Sequence, residues 1–436
     1  MKVLNAEKQI GIEAFITSSK GIGGKLRTLP EDFIVKEVSN YPTKKENGKF
    51  TIADVTSINW ETNLLIREIS DKMHISRQRI GFAGTKDKRA KTTRLMSFYK
   101  VPIDTLSNLK VKDVEINNIY KSDRPVKIGS LIGNNFEIAI RNISKNIKSI
   151  NVKNIFSEIY KNGGFPNFYG IQRFGVIRPI THIVGKYVVQ GDFEKAVMCY
   201  LANPFINEGE EIYEMRNELQ KTYDFSKALK NYPNQLNFEK AMLNKLVQKP
   251  SDFVGAIKEL PRNLLTMFIY AYQSYLFNKI LSKRIKNNHP LNNVLIGDII
   301  IPIRKGVLDE HYIKVSSVNI DKVNYQISKA KAVVSGVLFG SDSIFSEGIM
   351  GEIEHSVIEK EKIDHRDFII PEIPYISSSG LRRSLLAYIK NFDFELYKDD
   401  KKLNNQSVIL KFELQKGCYA TSFLREFMKV DNIKNY

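Results

Sequence analysis

The chain has 436 residues, enough for two domains that each bury a core without a disulfide or metal staple. Its 66 Lys and Arg against 48 Asp and Glu leave a net charge of +18, which points to a polyanionic partner, nucleic acid first. A 42% hydrophobic and 11% aromatic content excludes a disordered basic tail. Two isolated cysteines, Cys199 and Cys418, argue against a disulfide framework and against structural zinc. The start MKVLNAEKQIGIEAF lacks a signal-peptide pattern, and no run of about twenty apolar residues follows, so a soluble cytoplasmic protein without a membrane partner is expected.

In chain order, GKLRTLPEDFIVKEV (24–38) reads as a short strand, a turn at Pro30 and a strand alternating around Phe33 and Val35. Thr62 or Asn63 is expected to cap a helix with Leu65, Ile66, Ile69 and Met73 on its apolar face. IGFAGTKDKRAKTTR (80–94) follows, a loop between two strand-like runs, with Gly81 and Gly84 expected to relieve the backbone. A strand over 130–143 and a helix over 151–161 lead to FPNFYGIQRFGVIR (165–178), an irregular aromatic and glycine-rich loop. Residues 182–260 read as mainly helical, and 261–286 as a strongly periodic helix. From about 292 to 345 short strands with Gly and Pro punctuation suggest an inserted α+β module; a strand over 407–414 and a helix over 419–428 complete the chain.

Gly21-Ile-Gly-Gly-Lys25 and Gly81-Phe-Ala-Gly-Thr-Lys86 fail the phosphate-loop pattern, and no GxGxxG follows a strand. Six scattered His residues form no HxxxH or HExxH pair, so no metal site is expected. What remains is one carboxylate, Asp87, among Lys86, Lys88, Arg89, Lys91 and Arg94. It either caps its own turn or acts chemically; the cations would keep it ionised and gather phosphates around it.

GFAGTKDKRAKTTR resembles the signature of the TruD family of tRNA pseudouridine synthases, in its archaeal type. PEDFIVKEV, PNFYGIQRFG, YQSYLFNKILSKR, SGLRRSLL and KGCYATSFLRE match further family motifs in order, over about residues 24 to 426. The resemblance implies an α+β fold: a catalytic domain built on a central antiparallel sheet, residues 1–178 and 377–436, with an inserted domain at 179–376, the two framing a cleft for RNA. The helix 262–285 is expected to pack back on the catalytic domain. It also implies a cofactor-free isomerase, a tRNA pseudouridine synthase acting at position 13, with tRNA as partner and a monomer favoured. On the matching positions Asp87 is the catalytic carboxylate, supported by Lys86 and Lys88, with Arg27 beside it, Phe33 lining the site, Asn167 hydrogen-bonding around it and Tyr169 stacking on the target uracil. Arg89, Lys91, Arg94, Arg173, Arg284, Arg382 and Arg383 are candidates for RNA contacts. Whether Asp87 attacks sugar or base, or takes the proton that must leave, is open. A non-catalytic tRNA-binding protein or chaperone is the competing reading; a methyltransferase is disfavoured by the missing glycine-rich loop.

Overall fold

The computed structural model describes residues 2–86, 88–304, 306–398 and 405–436. It divides into two compact units, one of Thr17–Phe165 with Ala387–Tyr436 and one of Lys2–Ile16 with Pro166–Leu386. The divisions therefore fall at 165/166 and 386/387 rather than at 178/179 and 376/377, and the N-terminal segment belongs to the second unit. The PNFYG and SGLRRS motifs and the helix Arg262–Lys286 lie in that second unit too.

The first unit is built on an eight-stranded sheet. Its strands β1 (Phe33–Ser39), β2 (Phe50–Ile58), β3 (Ile80–Phe82), β4 (Lys91–Tyr99), β5 (Val114–Ser122) and β6 (Leu131–Ser144) are joined by a C-terminal hairpin, Lys390–Lys398 and Asn405–Gln415. Across the sheet the order is Lys390–Lys398, Asn405–Gln415, β6, β1, β4, β2, β5, with β3 on β4. All neighbours are antiparallel except β1 and β4, which run parallel with Ile34 opposite Lys91 and Lys36 opposite Thr93. The expected antiparallel sheet is thus interrupted at its centre.

The strand patterns explain the packing. Ala53, Val55, Met96 and Phe98 turn to one core, which the helix Thr62–Lys72 closes with Leu65, Ile66 and Ile69. Phe136, Phe412 and Phe423 form a second aromatic cluster between strands and the helix Ala420–Met428. The helix over 62–72 is capped by Glu61, whose carboxylate accepts from the Leu64 amide at 2.9 Å, not by Thr62 or Asn63. Of the two loop glycines only Gly81 is required, because a Cβ there would meet the Val126 carbonyl at 2.3 Å; at Gly84 the nearest atom is 3.7 Å away, and neither has a positive φ.

The second unit is mainly helical around Arg262–Lys286, with an antiparallel five-stranded sheet ordered Ile313–Lys314, Ile299–Arg304, Ala332–Leu338, Leu381–Ser384, and Val307–Leu308 on the second of these. The long helix lies so close to Thr181–Val189 that a Cβ on Gly185 would meet the Phe268 carbonyl at 2.0 Å. Among the described residues no helix is long and apolar enough to cross a membrane.

His182 ties the N-terminal segment to this helical layer: its Nε2 lies 3.1 Å from the Gln9 carbonyl and its ring stacks on Tyr275. Burial holds its pKa down from 6.5 to about 4. The unfolded chain therefore takes up a proton first, and stability that is full above pH 6.5 falls as pH drops towards 4. The loss amounts to roughly 3 kcal/mol at most. Denaturant unfolding of wild type and His182→Gln at pH 7 and pH 4.5 checks this: the substitution is expected to flatten the difference between the two pH values.

Candidate functional site

In the first unit the parallel pairing decides what meets what. Parallel neighbours receive the chain at the same end of the sheet, so the segment 27–32, entering β1, and the segment 83–90, entering β4, are brought together. The contact is direct: Arg89 Nη2 donates to the Arg27 carbonyl at 3.0 Å. Arg27 has a left-handed backbone (φ 53°), and its guanidinium lies 4.2 Å from the centroid of the Phe33 ring. Phe33 is 1% exposed and packs edge-on against Phe136, so it is a platform for Arg27 and does not itself line an opening. The turn at Pro30–Asp32 is fixed by Arg141, whose Nε lies 2.7 Å from an Asp32 oxygen.

Asp87 lies outside the described residues; its two flanks do not. The Lys86 amide donates to Thr62 Oγ1 at 3.0 Å and its ammonium pairs with Glu37 at 2.9 Å, both side chains buried. On the other flank the Ala90 amide donates to the Lys88 carbonyl at 2.9 Å, and Lys88 and Arg89 are exposed while Lys91 is half-buried. The expected RNA contact Arg94 is instead 1% exposed: its guanidinium donates to Thr62 Oγ1 at 3.0 Å and to Thr92 Oγ1 at 2.7 Å. Burial pushes its pKa down to about 10, against the opposing pull of Glu37 and Glu61. Arg94 is a buried cation behind the loop, not a surface one.

Neither Glu37 nor Thr62, the latter expected only as a helix cap, is among the site residues the sequence suggests, although the signal for Glu37 is present. Glu37 shares strand parity with Phe33 and Val35, as Arg94 does with Met96 and Phe98; all face the core. A carboxylate and a guanidinium both predicted to face inward announce a buried pairing network.

In the second unit Asn167 and Tyr169 are held by main-chain bonds. The Asn167 amide donates to the Leu385 carbonyl (2.9 Å), its Nδ2 to the Ser384 carbonyl (3.1 Å), and its Oδ1 accepts from Arg383 Nη2 (2.7 Å). Asn278, from the long helix, grips Tyr169 from both sides: its Oδ1 accepts from the Tyr169 amide at 2.9 Å and its Nδ2 donates to the Tyr169 carbonyl at 3.0 Å. The Tyr169 ring, 9% exposed, carries the Arg383 guanidinium 4.0 Å from its centroid, meets Phe277 edge-on at 5.9 Å and lies 5.6 Å from Arg173. It forms one wall of a cavity of about 360 Å³ shared with Arg173, Tyr270, Gln273 and Leu338.

Two further expected RNA contacts are internal. Arg284 makes a two-pronged ion pair with Asp298 at 2.6 and 2.8 Å, both fully buried. Arg382 pairs with Glu354 at 2.9 Å and donates to the Ser335 and Ile344 carbonyls. Their guanidiniums have no donors turned to solvent for a phosphate. Asn278 lies within YQSYLFNKILSKR at helical spacing, where nothing local marks it as a buried polar group that needs partners. Among the described residues no group of three or more His, Cys, Asp or Glu could hold a metal ion.

A family model described as tRNA pseudouridine synthase D (TruD) matches residues 9–427. The probable tRNA pseudouridine synthase D of Methanococcoides burtonii is 42% identical, with 99% of each chain covered. That of Pyrococcus furiosus is 38% identical over 96% of this chain and 99% of its own. The crystal structure of the putative tRNA pseudouridine synthase D from Methanosarcina mazei matches with a TM-score of 0.89 at 40% identity, over all of both chains.

The buried Lys86–Glu37 pair makes a stability prediction. Lys86→Met and Glu37→Met each break this interior ion pair and are each expected to cost about 3–5 kcal/mol, whereas the double substitution costs less than the two losses added together. Denaturant unfolding of the four proteins checks it; additive losses would mean that the two side chains are independently solvated.

Proposed function

The chain belongs to the TruD family of tRNA pseudouridine synthases and is an isomerase of that kind; we propose that it acts on the uridine at position 13 of tRNA and that Asp87 is its catalytic carboxylate. The match over residues 9–427 carries the reading. The archaeal relatives are each named as a probable tRNA pseudouridine synthase D. Position 13 comes from the family resemblance alone. The cytoplasm, where tRNA is modified, is the proposed location.

The reaction breaks the N1–C1′ glycosidic bond, turns the uracil and rejoins it through C5; the C5 proton leaves and N1 gains one, so substrate and product have the same composition. No oxidant, reductant or co-reactant enters that balance. A carboxylate suits the chemistry as nucleophile on sugar or base, or as acceptor of the C5 proton, and each role needs it ionised. What supports Asp87 in that role is the setting of its neighbours. The exposed Lys88 and Arg89, the half-buried Lys91 and the Arg27 guanidinium on its Phe33 platform make the loop's surroundings cationic, which favours ionisation and attracts phosphate. The uracil reaches such a group only when extruded from its stack, where aromatic faces hold it; Tyr169 with Asn167 is the pair proposed for that task. A tRNA-binding protein without catalysis is not favoured by the family match.

Asp87→Asn is expected to lower single-turnover pseudouridine formation on unmodified tRNA by roughly a hundredfold or more while tRNA binding persists. Chemical mapping of the product locates the modified position, and an active Asp87→Asn protein would remove this carboxylate from the mechanism. Arg89→Gln is expected to weaken tRNA binding and reduce the slope of log affinity against log salt by about 1, whereas Arg284→Gln lowers the unfolding midpoint and leaves the slope unchanged.

A further inference from the structure

We propose that the second unit holds two adjacent nucleosides of the tRNA, the target uracil at Tyr169 and its neighbour in the strand on the outer face of the helix Arg262–Lys286, with Tyr270 as the divider between the two bases. The assignment rests on the proposed role of Tyr169.

Two cavities abut in this unit and share one wall, made of Arg173 and Tyr270. The inner one, about 360 Å³, ends on Tyr169. The outer one is a shallow depression open to solvent, about 660 Å³, over Arg262, Thr266 and Met267 of the helix. Each is of the size that takes a nucleoside-sized molecule. Tyr270 stands 45% exposed between them, and Met267 beside it is 38% exposed. A lone exposed aromatic is ordinary; here it is flanked by cations and by a second aromatic.

The electrostatics match a polynucleotide. Among the described residues no Asp or Glu lines either cavity. The Arg173 guanidinium is 5.6 Å from the Tyr169 centroid and 5.9 Å from the Tyr270 centroid, so one cation faces both rings. A phosphate joining two nucleosides, one against each ring, meets that cation. Arg262 supplies a second positive group at the far end, 4.9 Å over the Tyr375 ring. Base stacking on an aromatic tolerates any base, while the arginines bind the backbone. The surface thus fits an unstacked strand better than a duplex, whose bases offer no free face.

The test uses full-length tRNA in which the nucleotide on either side of the modified uridine is abasic, with affinity and single-turnover rate measured for wild type, Tyr270→Ala and Tyr270→Phe. The Ser274 hydroxyl bonds the main-chain carbonyl of residue 270, a bond that Ala retains. One of the two abasic tRNAs is expected to bind wild type between about fivefold and a hundredfold more weakly. Tyr270→Ala should bind intact tRNA more weakly by a similar factor and be indifferent to that abasic site, while Tyr270→Phe behaves as wild type. Losses that multiply, or a Tyr270→Ala protein that binds intact tRNA as wild type does, would overturn the proposal. Because affinity is read separately, coupling without pseudouridine formation would fault the catalytic assignment and leave this pocket standing; pseudouridine formation without coupling would do the reverse.

Discussion

In a sheet whose other neighbours are antiparallel, the parallel pairing of β1 with β4 is the constraint from which the organisation of the first unit follows. Were these two strands antiparallel, the segments that precede them would lie at opposite ends of the sheet, several strand residues apart at ~3.3 Å each. Because they run together, the Arg27 turn and the lysine-rich loop enter at one end, and the sheet itself sets their spacing. The Arg89 bond to the Arg27 carbonyl is a consequence of this register, not an independent adhesive. Behind the same end the chain stores buried charge: Glu37 on β1, Lys86 on the loop and Arg94 on β4. A buried cation without its anion would be costly, so the loop stem is fixed where Glu37 can reach it.

Much of the fold was legible because it is local. Alternation in FIVKEV and SVILKFEL, and the 3.6-residue rhythm of the long helix, come from which face each residue must bury, and the structure has these elements where the periods put them. Strand partners are a different kind of information. Nothing within β1 says that a strand some fifty residues later lies parallel beside it, since that choice is made by loops and by the whole core. The extent of each unit was obscured for a similar reason: the chain leaves one body and enters the other without a linker of distinct composition.

The basic residues show the other limit. A net charge of +18 invites every Arg to be placed on the surface, yet Arg94, Arg284 and Arg382 are interior, each a multi-donor strut, with Arg94 and Arg382 joining segments distant in sequence and Arg284 tying its helix to the residues that follow it. Periodicity contained a warning: Arg284 follows Phe277, Ile280 and Leu281 on the buried stripe of its helix. The solvent-exposed positive charge is consequently carried by fewer groups than composition implies. Around the loop these are Lys88 and Arg89, with Lys91 partly covered.

The amide of Asn278 serves three carbonyl or amide groups at once, two on Tyr169 and one on Ile10. No other side chain of that size both donates twice and accepts, so an aspartate or leucine there would leave main-chain groups stranded. The same arrangement makes the segment at Ile10 part of the support of the aromatic loop. Removing the Ile10 carbonyl would leave every residue of the PNFYG motif in place and still take away an acceptor that steadies the asparagine holding it, so recognition and support of one loop are coded in segments far apart in the chain.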